Sequence, residues 1–312
     1  MRVFDGVASV PTPFGPSAVA IGKFDGVHAG HSAVIAELER RAAEHSHQLS
    51  RVIVTFDRNP LAVLDPDRSP EPLTGGSQKL DLLGQTGVDA CVVLAFTPEF
   101  AATEPADFVR EVLVDALDAK MVLVGADFKF GVAGSGGVGL LAELGQRYGF
   151  EVVVLDDVVR GEARASSTRI RELLAEGDVA RATEILGHHP AVRGEVVHGA
   201  ARGRELGFPT ANLTPDCEGY IPADGIYAGW LVDAGVRYPA AISVGNNPTF
   251  EGVPQRQVEA HVIDRTIDLY GHVVDVEFAQ RIRGMVAFDS LDALIAQITD
   301  DVTVAKRELG LA

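Results

Sequence analysis

The sequence predicts two domains in tandem: a doubly wound α/β domain, then a small antiparallel β-barrel covered by one terminal helix. Three observations carry that prediction. Over residues 1–187, continuous apolar runs alternate with helix-like stretches, the pattern of a parallel sheet covered on both faces. From residue 191 the grammar changes to short strands separated by Gly, Pro and Asn turns, which suggests a small barrel or sandwich. The chain has 312 residues, more than one hydrophobic core usually serves.

The strands of the first domain are expected at "AVAIGKF" (18–24), "RVIVTF" (51–56), "DACVVLAF" (89–96), "AKMVLVG" (119–125) and "FEVVVL" (150–155). Between them, 31–45, 77–87, 104–118 and 140–149 read as helices, because apolar residues recur there at helical spacing. Two short helices follow at 166–177 and 178–187. Gly187 is placed to stop the second, and "HHP" (188–190) marks the boundary between domains 1–187 and 188–312. In the second domain, "AVRGEVVHG", "GIYAGWLVDAG", "RYPAAISVG", "QVEAHVID" and "HVVDVEFAQRI" read as strands. The stretch 290–309 reads as an amphipathic helix whose apolar face covers them.

Composition narrows the function. A formal net charge of −17 opposes sequence-independent nucleic-acid binding, which needs a basic surface to displace counterions from phosphates. No apolar run is long enough to span a bilayer, and the N-terminal "MRVFDGVASVPTPFG" lacks the core of a signal peptide. A cytoplasmic protein with neither nucleic acid nor membrane as partner is expected. Cys91 and Cys217 then read as reduced thiols with no zinc site, and the "NLT" sequon at Asn212 as accidental. A phosphate site in so acidic a chain has to be local, and a metal cation would ease it.

One such site is suggested by "GKFDGVHAGH" (22–31), where a strand hands over to a helix. Gly22, Gly26 and Gly30 let backbone approach a ligand closely, and the helix start offers free N–H groups to an anion. His28 and His31 can donate to phosphate oxygens as charge builds there during nucleotidyl transfer. Taken alone, the stretch reads equally well as a surface loop with incidental histidines. In "SSTRIR" (166–171), Ser167 and Thr168 can cap a helix or donate to phosphate, and Arg171 can clamp triphosphate oxygens.

"GKFDGVHAGH" and "SSTRIR" resemble the two signatures of the HIGH-type, Rossmann-like nucleotidyltransferase superfamily. With "GADFKFG" (125–131) between them, they are similar to the N-terminal module of the prokaryotic bifunctional riboflavin kinase/FAD synthetase (FMN adenylyltransferase) family. "RGRELGFPTANL" (202–213), followed by "GIYAGW", "NNPTF", "VEAHVID" and "DLYG", resembles that family's flavokinase signature. The resemblance runs through nearly the whole chain, in family order.

It implies an enzyme that phosphorylates riboflavin to FMN and then adenylylates FMN to FAD, with ATP and Mg²⁺ in both steps and FAD as product. It implies catalytic roles for His28, His31 and Arg171 in the first domain, with Gly22, Phe24, Gly26, Gly30, Ser167 and Thr168 around the nucleotide. Asp127 occupies a family motif position, for contact with nucleotide or flavin. Phe56, Phe128 and Phe130 lie at expected strand ends and can line a flavin pocket, although core packing explains each one singly.

In the second domain the resemblance implies metal ligation by Thr210 and Asn212, whose oxygens suit a hard cation, and ATP binding by a loop with Gly203, Arg204 and Gly207. Glu259 is implied as the base that takes the ribityl proton; read by alternation alone it is a solvent-facing strand residue. His261, two residues on, reads as structural support. Where relatives commonly show "FEPHP", this chain has "FDRNP", so Asn59 replaces a histidine.

Two rival readings remain. "GSGGVG" (134–139) imitates a dinucleotide fingerprint and would make the protein a nicotinamide-dependent oxidoreductase. It follows its strand too late, however, and reads better as a mobile glycine loop. A non-catalytic flavin-binding module is opposed by the full set His28, His31, Thr210, Asn212 and Glu259. The sequence does not fix an oligomeric state.

Overall fold

Six parallel strands form the first sheet: β1 (Arg2–Asp5), β2 (Ser17–Ile21), β3 (Ser50–Phe56), β4 (Ala90–Leu94), β5 (Ala119–Gly125) and β6 (Glu151–Leu155). The computed structural model describes residues 1–155, 166–199, 206–245 and 256–311, and the backbone alone of 159–160 and 163–164. The chain divides into one unit of Met1–Pro72 with Lys79–Ala165 and another of Leu73–Gln78 with Ser166–Ala312.

In the first unit the strand order is β1-β4-β3-β2-β5-β6. Successive side chains of a strand point to opposite faces. Val19 and Ile21 of β2 accordingly join Val52, Val54 and Val122 in one core, while Ala18 and Ala20 join Ile53 and Leu123 in the other. Two covered faces explain why β2 is buried along its whole length and reads as an unbroken apolar run. Helix α1 (Ala29–Glu44) sends Ile35, Leu38 and Ala42 into the second core; α3 (Val138–Tyr148) sends Leu141 and Leu144 into the first. Between them in sequence, α2 (Gly76–Gly84) has its first turn in the other unit.

The sheet departs from expectation at its edge. β1 is a strand the apolar pattern does not reveal, since three of its four residues are exposed, and "AVAIGKF" therefore supplies the second strand. That strand stops at Ile21, and its ladder ends where the Gly22 N–H donates to the Val54 carbonyl. The stretch 104–118 forms Pro105–Phe108 followed by a π-helical Val109–Ala116, wider than the expected α-helix.

The order matters for function. The chain runs outward from β2 through β3 to β4, then returns to place β5 on the other side of β2. The carboxyl ends of β2 and β5 are the topological switch point, where open α/β sheets hold ligands.

The second unit begins with α4 (Ser167–Glu176) and α5 (Val179–Leu186). A closed barrel follows: β7 (Ala191–Val197), β8 (Ala211–Leu213), β9 (Gly225–Asp233), β10 (Val236–Gly245), β11 (Gln257–Val262) and β12 (Val273–Arg283), in the order β7-β8-β11-β10-β9-β12. All its neighbours are antiparallel, and closure removes the free edges that invite aggregation. The short β8 was expected as part of a loop. The packing division falls at Ala165/Ser166, ahead of the sequence boundary at 187/188, because α4 and α5 pack together and α5 packs on β12.

The terminal helix α6 (Leu291–Glu308) covers the barrel as expected, with Ala305 and Val302 against Ala228 and Ile263. It also carries Asp301, which is 3% exposed and receives two hydrogen bonds from Arg283 at 2.8 and 2.6 Å. Leu73–Gln78 is laced to the same unit: Ser77 donates to Glu218 (2.8 Å), while Gln78 donates to the Ala191 carbonyl and to Asp275 (both 3.3 Å).

Candidate active sites

The turn after β2 is built from unusual backbone. Phe24, Gly26 and Val27 all have positive φ (50°, 80° and 39°), a region that non-glycine residues enter rarely, which is why Gly26 sits at the tightest point. The turn delivers His28 to the N-cap of α1. There its Nδ1 accepts the His31 N–H at 3.4 Å, a task Ser, Asp or Asn usually performs. A neutral imidazole accepting at Nδ1 carries its proton on Nε2.

The two rings stack with centroids 3.7 Å apart and planes 18° from parallel, and Phe24 packs on His31 at 5.0 Å. His28 is buried and His31 half-buried. Burial, the facing His28 and then Lys79 hold the His31 basicity well below the ordinary imidazole value. The buried Nδ1 of His31 has no hydrogen-bond partner among the described residues.

Asp127, Phe128 and Phe130 follow β5 and so reach the same end of the sheet as His28 and His31. Asp127 is exposed. Phe128 and Phe130 stack at 5.5 Å, and Phe130 begins a chain of ring contacts through Phe108 and Phe100 to Phe96 and Phe56. Phe96, Phe100 and Phe108 were not singled out in the sequence, though the four-residue spacing of Phe96 and Phe100 was a usable signal.

The "GSGGVG" reading is corrected here. Gly136–Gly137 pairs with Lys129–Phe130 as a two-stranded hairpin, so the segment is ordered structure. A Cβ on Gly136 would lie 2.8 Å from the Phe130 ring, so the glycine is required for that ring to pack. Lys79 is a further residue the sequence did not flag. It is 9% exposed, and its ammonium donates to the Phe56 carbonyl at 2.6 Å.

"SSTRIR" belongs to the second unit and opens α4. The N-cap is Ser166, whose hydroxyl accepts the Arg169 N–H at 3.3 Å; the expectation that Ser167 or Thr168 caps is corrected, since both stand inside the first turn. Arg171 is half-buried one turn further on.

In the barrel, register brings the second constellation together. Asn212 of β8 stands directly opposite Glu259 of β11. The Thr210 hydroxyl donates to the Glu259 carboxylate at 3.5 Å, and the Asn212 amide donates to Thr210 Oγ1 at 3.3 Å and to its carbonyl at 3.2 Å. Burial raises the Glu259 pKa above the ordinary carboxyl value, opposed in part by the Thr210 hydrogen bond.

A hydroxyl, an amide carbonyl and a carboxylate within a few ångströms form an oxygen donor set, which fits Mg²⁺. Gly199 is glycine for a local reason: a Cβ there would fall 2.5 Å from the Asn212 side chain. His261 is bonded at Nδ1 to the Pro209 carbonyl (2.8 Å) and packs edge-on against Phe208, which braces the "PTAN" turn. A cleft of about 70 Å³ opens beside this group, lined by Gly199, Thr210, Asn212, Arg265 and Tyr270. Gly207 holds φ at 86°. Gly203, Arg204 and "NNPTF" lie outside the described residues.

Comparison with known proteins matches both halves. The family profile described as FAD synthetase covers residues 11–169, and the one described as riboflavin kinase covers 186–309. The bifunctional riboflavin kinase/FMN adenylyltransferase of Escherichia coli K12 is 37% identical over 94% of this chain and 93% of its own length. The Listeria monocytogenes protein of that name is 34% identical over 91% and 89%. A crystal structure described as a macrolide-efflux protein from Streptococcus pneumoniae aligns with TM-score 0.84 and 32% identity, covering 97% of this chain and 98% of that one. Among the described residues no helix is long and apolar enough to cross a membrane.

An open parallel sheet with an FAD synthetase profile, joined to a closed barrel with a flavokinase profile, defines a two-domain transferase of flavin cofactor biosynthesis. The chain belongs to the bifunctional riboflavin kinase/FMN adenylyltransferase family.

Proposed function

We propose that the barrel transfers the γ-phosphoryl group of ATP to riboflavin, and that the parallel-sheet domain then joins the resulting FMN to the AMP part of a second ATP. The corresponding functional domains are 1–187 and 188–312. The observation that carries the reading is the pairing of Asn212 with Glu259 across β8 and β11, with the Thr210 hydroxyl on the same carboxylate.

In the first reaction Glu259 takes the proton of the terminal ribityl hydroxyl as that oxygen attacks the γ-phosphorus, and ADP leaves. Its elevated pKa makes it a stronger base than an exposed glutamate. Thr210 and Asn212 would hold Mg²⁺, which would supply charge neutralisation to the transferring phosphoryl group. In the second reaction an FMN phosphate oxygen attacks the α-phosphorus of ATP and pyrophosphate departs. His28 and His31 donate hydrogen bonds to the phosphates, and the start of α1 adds its backbone donors. The Gly22–Gly30 turn lets backbone approach the nucleotide, and the phenylalanines around Phe56, Phe128 and Phe130 offer the isoalloxazine flat apolar surfaces.

The test is chromatography of riboflavin, ATP and Mg²⁺ incubated with the protein. FMN followed by FAD is expected, and the absence of both sinks the reading. Neither the oxidoreductase nor the flavin-binding module is favoured, since the glycine motif is a hairpin and both family profiles describe enzymes.

A further inference from the structure

Lysine is the side chain least often buried without a partner, because an ammonium loses several kcal/mol of hydration on leaving water. Lys79 is buried all the same, on a short helix whose other polar residues are mostly exposed. Its acceptor is the Phe56 carbonyl, the last of β3, at 2.6 Å. An ammonium has three N–H bonds, and no second acceptor is assigned to this one among the described residues. The titratable groups within its electrostatic reach are Asp25, Asp57, the Cys91 thiol and His31. Asp25 belongs to the turn that aims His28, and Asp57 follows Phe56 directly. The lysine is thus bonded to the end of the strand that carries Phe56 and acts electrostatically on His31.

We propose that Lys79 is a positioning residue of the adenylylation site: it clamps the end of β3 through the Phe56 carbonyl and sets a positive charge within electrostatic reach of His31. The proposal rests on the reading of His28 and His31 given above. Two consequences follow physically. Burial and His28 chiefly hold His31 uncharged at neutral pH, and the Lys79 cation adds to them, so that the ring meets phosphate as a neutral donor. The same cation favours the anionic charge that accumulates on ATP phosphates during transfer, without needing to touch them.

The test uses the full chain with Lys79→Met, Lys79→Arg and His31→Ala. For Lys79→Met, kcat/KM of FAD formation from FMN and ATP should fall about tenfold to a hundredfold, the cost of a slightly misplaced site. Riboflavin phosphorylation by the same preparation should be unchanged, which controls for folding. The His31 titration, followed by NMR of the imidazole protons, should move to higher pH in Lys79→Met and return towards wild type in Lys79→Arg.

FAD formation intact in Lys79→Met but lost in His31→Ala would overturn the proposal and leave the site reading standing. A parallel fall of both activities, or an unmoved His31 titration, would also overturn it. If neither variant affects FAD formation, the reading of the imidazole pair falls as well.

Discussion

His28 and His31 lie face to face, ring centroids 3.7 Å apart, with the backbone N–H of the second donating to Nδ1 of the first. One imidazole therefore caps the helix on which the other is carried, and neither can be removed without disturbing its neighbour. The double variant His28→Ala/His31→Ala should lose FAD formation while FMN still accumulates from riboflavin and ATP. Product chromatography decides it, and loss of both products from a folded protein would refute the two-site assignment.

Glu259→Gln should do the converse, stopping FMN formation while supplied FMN is still adenylylated. The pH dependence has a definite sign. Burial raises the Glu259 pKa, and a base must be ionised to act, so the acid limb of the kinase rate should lie above the pH at which an exposed glutamate titrates.

The same group predicts a stability change. With its folded pKa above the unfolded one, Glu259 binds protons more tightly in the folded state. Stability should therefore fall as pH rises between those two values and remain lower beyond them. Glu259→Gln removes that penalty, so the inactive variant should melt at a higher temperature than wild type at neutral pH. Calorimetry at two pH values is sufficient, and a variant that melts lower at neutral pH contradicts the argument.

Asp301 receives two hydrogen bonds from Arg283 and a third from Gln297 at 3.0 Å, all on a nearly inaccessible carboxylate. Asp301→Ala leaves the guanidinium with no counter-charge and should cost about 3–5 kcal/mol by denaturant titration, the usual effect of breaking a buried pair. A loss comparable to that of an exposed ion pair would show that water reaches the site freely.

Gly136→Ala places a methyl group 2.8 Å from the Phe130 ring. The ring has to tilt, disturbing its stack on Phe128, so KM for FMN in adenylylation should rise about tenfold while the riboflavin KM stays fixed. Steady-state kinetics with each substrate checks this, and an unaltered FMN KM would remove Phe130 from the flavin surface.

Much of the fold was readable because burial imposes pattern. Five of the six parallel strands announced themselves as apolar runs, and β5 occupies 119–125 as anticipated. What escaped notice has the opposite physics. β1 is exposed at Arg2, Val3 and Asp5, so no periodicity marks it; β8 is three residues long and follows a proline turn. His28, His31, Thr210, Asn212 and Glu259 were singled out through motifs as candidates, and barrel register places Asn212 against Glu259. Lys79 was not, because a lysine on an amphipathic helix reads as solvated until the carbonyl it reaches is known. Nor was the cap at Ser166, since three hydroxyl residues stood in a row and only backbone angles choose among them.

The six residues Leu73–Gln78 sit early in the chain yet belong to the barrel's unit, so the backbone passes between the two units three times. A gene split at the linear border would strand Ser77 and Gln78 on the wrong polypeptide and leave Glu218 and Asp275 without them. Fission of the chain at that border is thereby penalised.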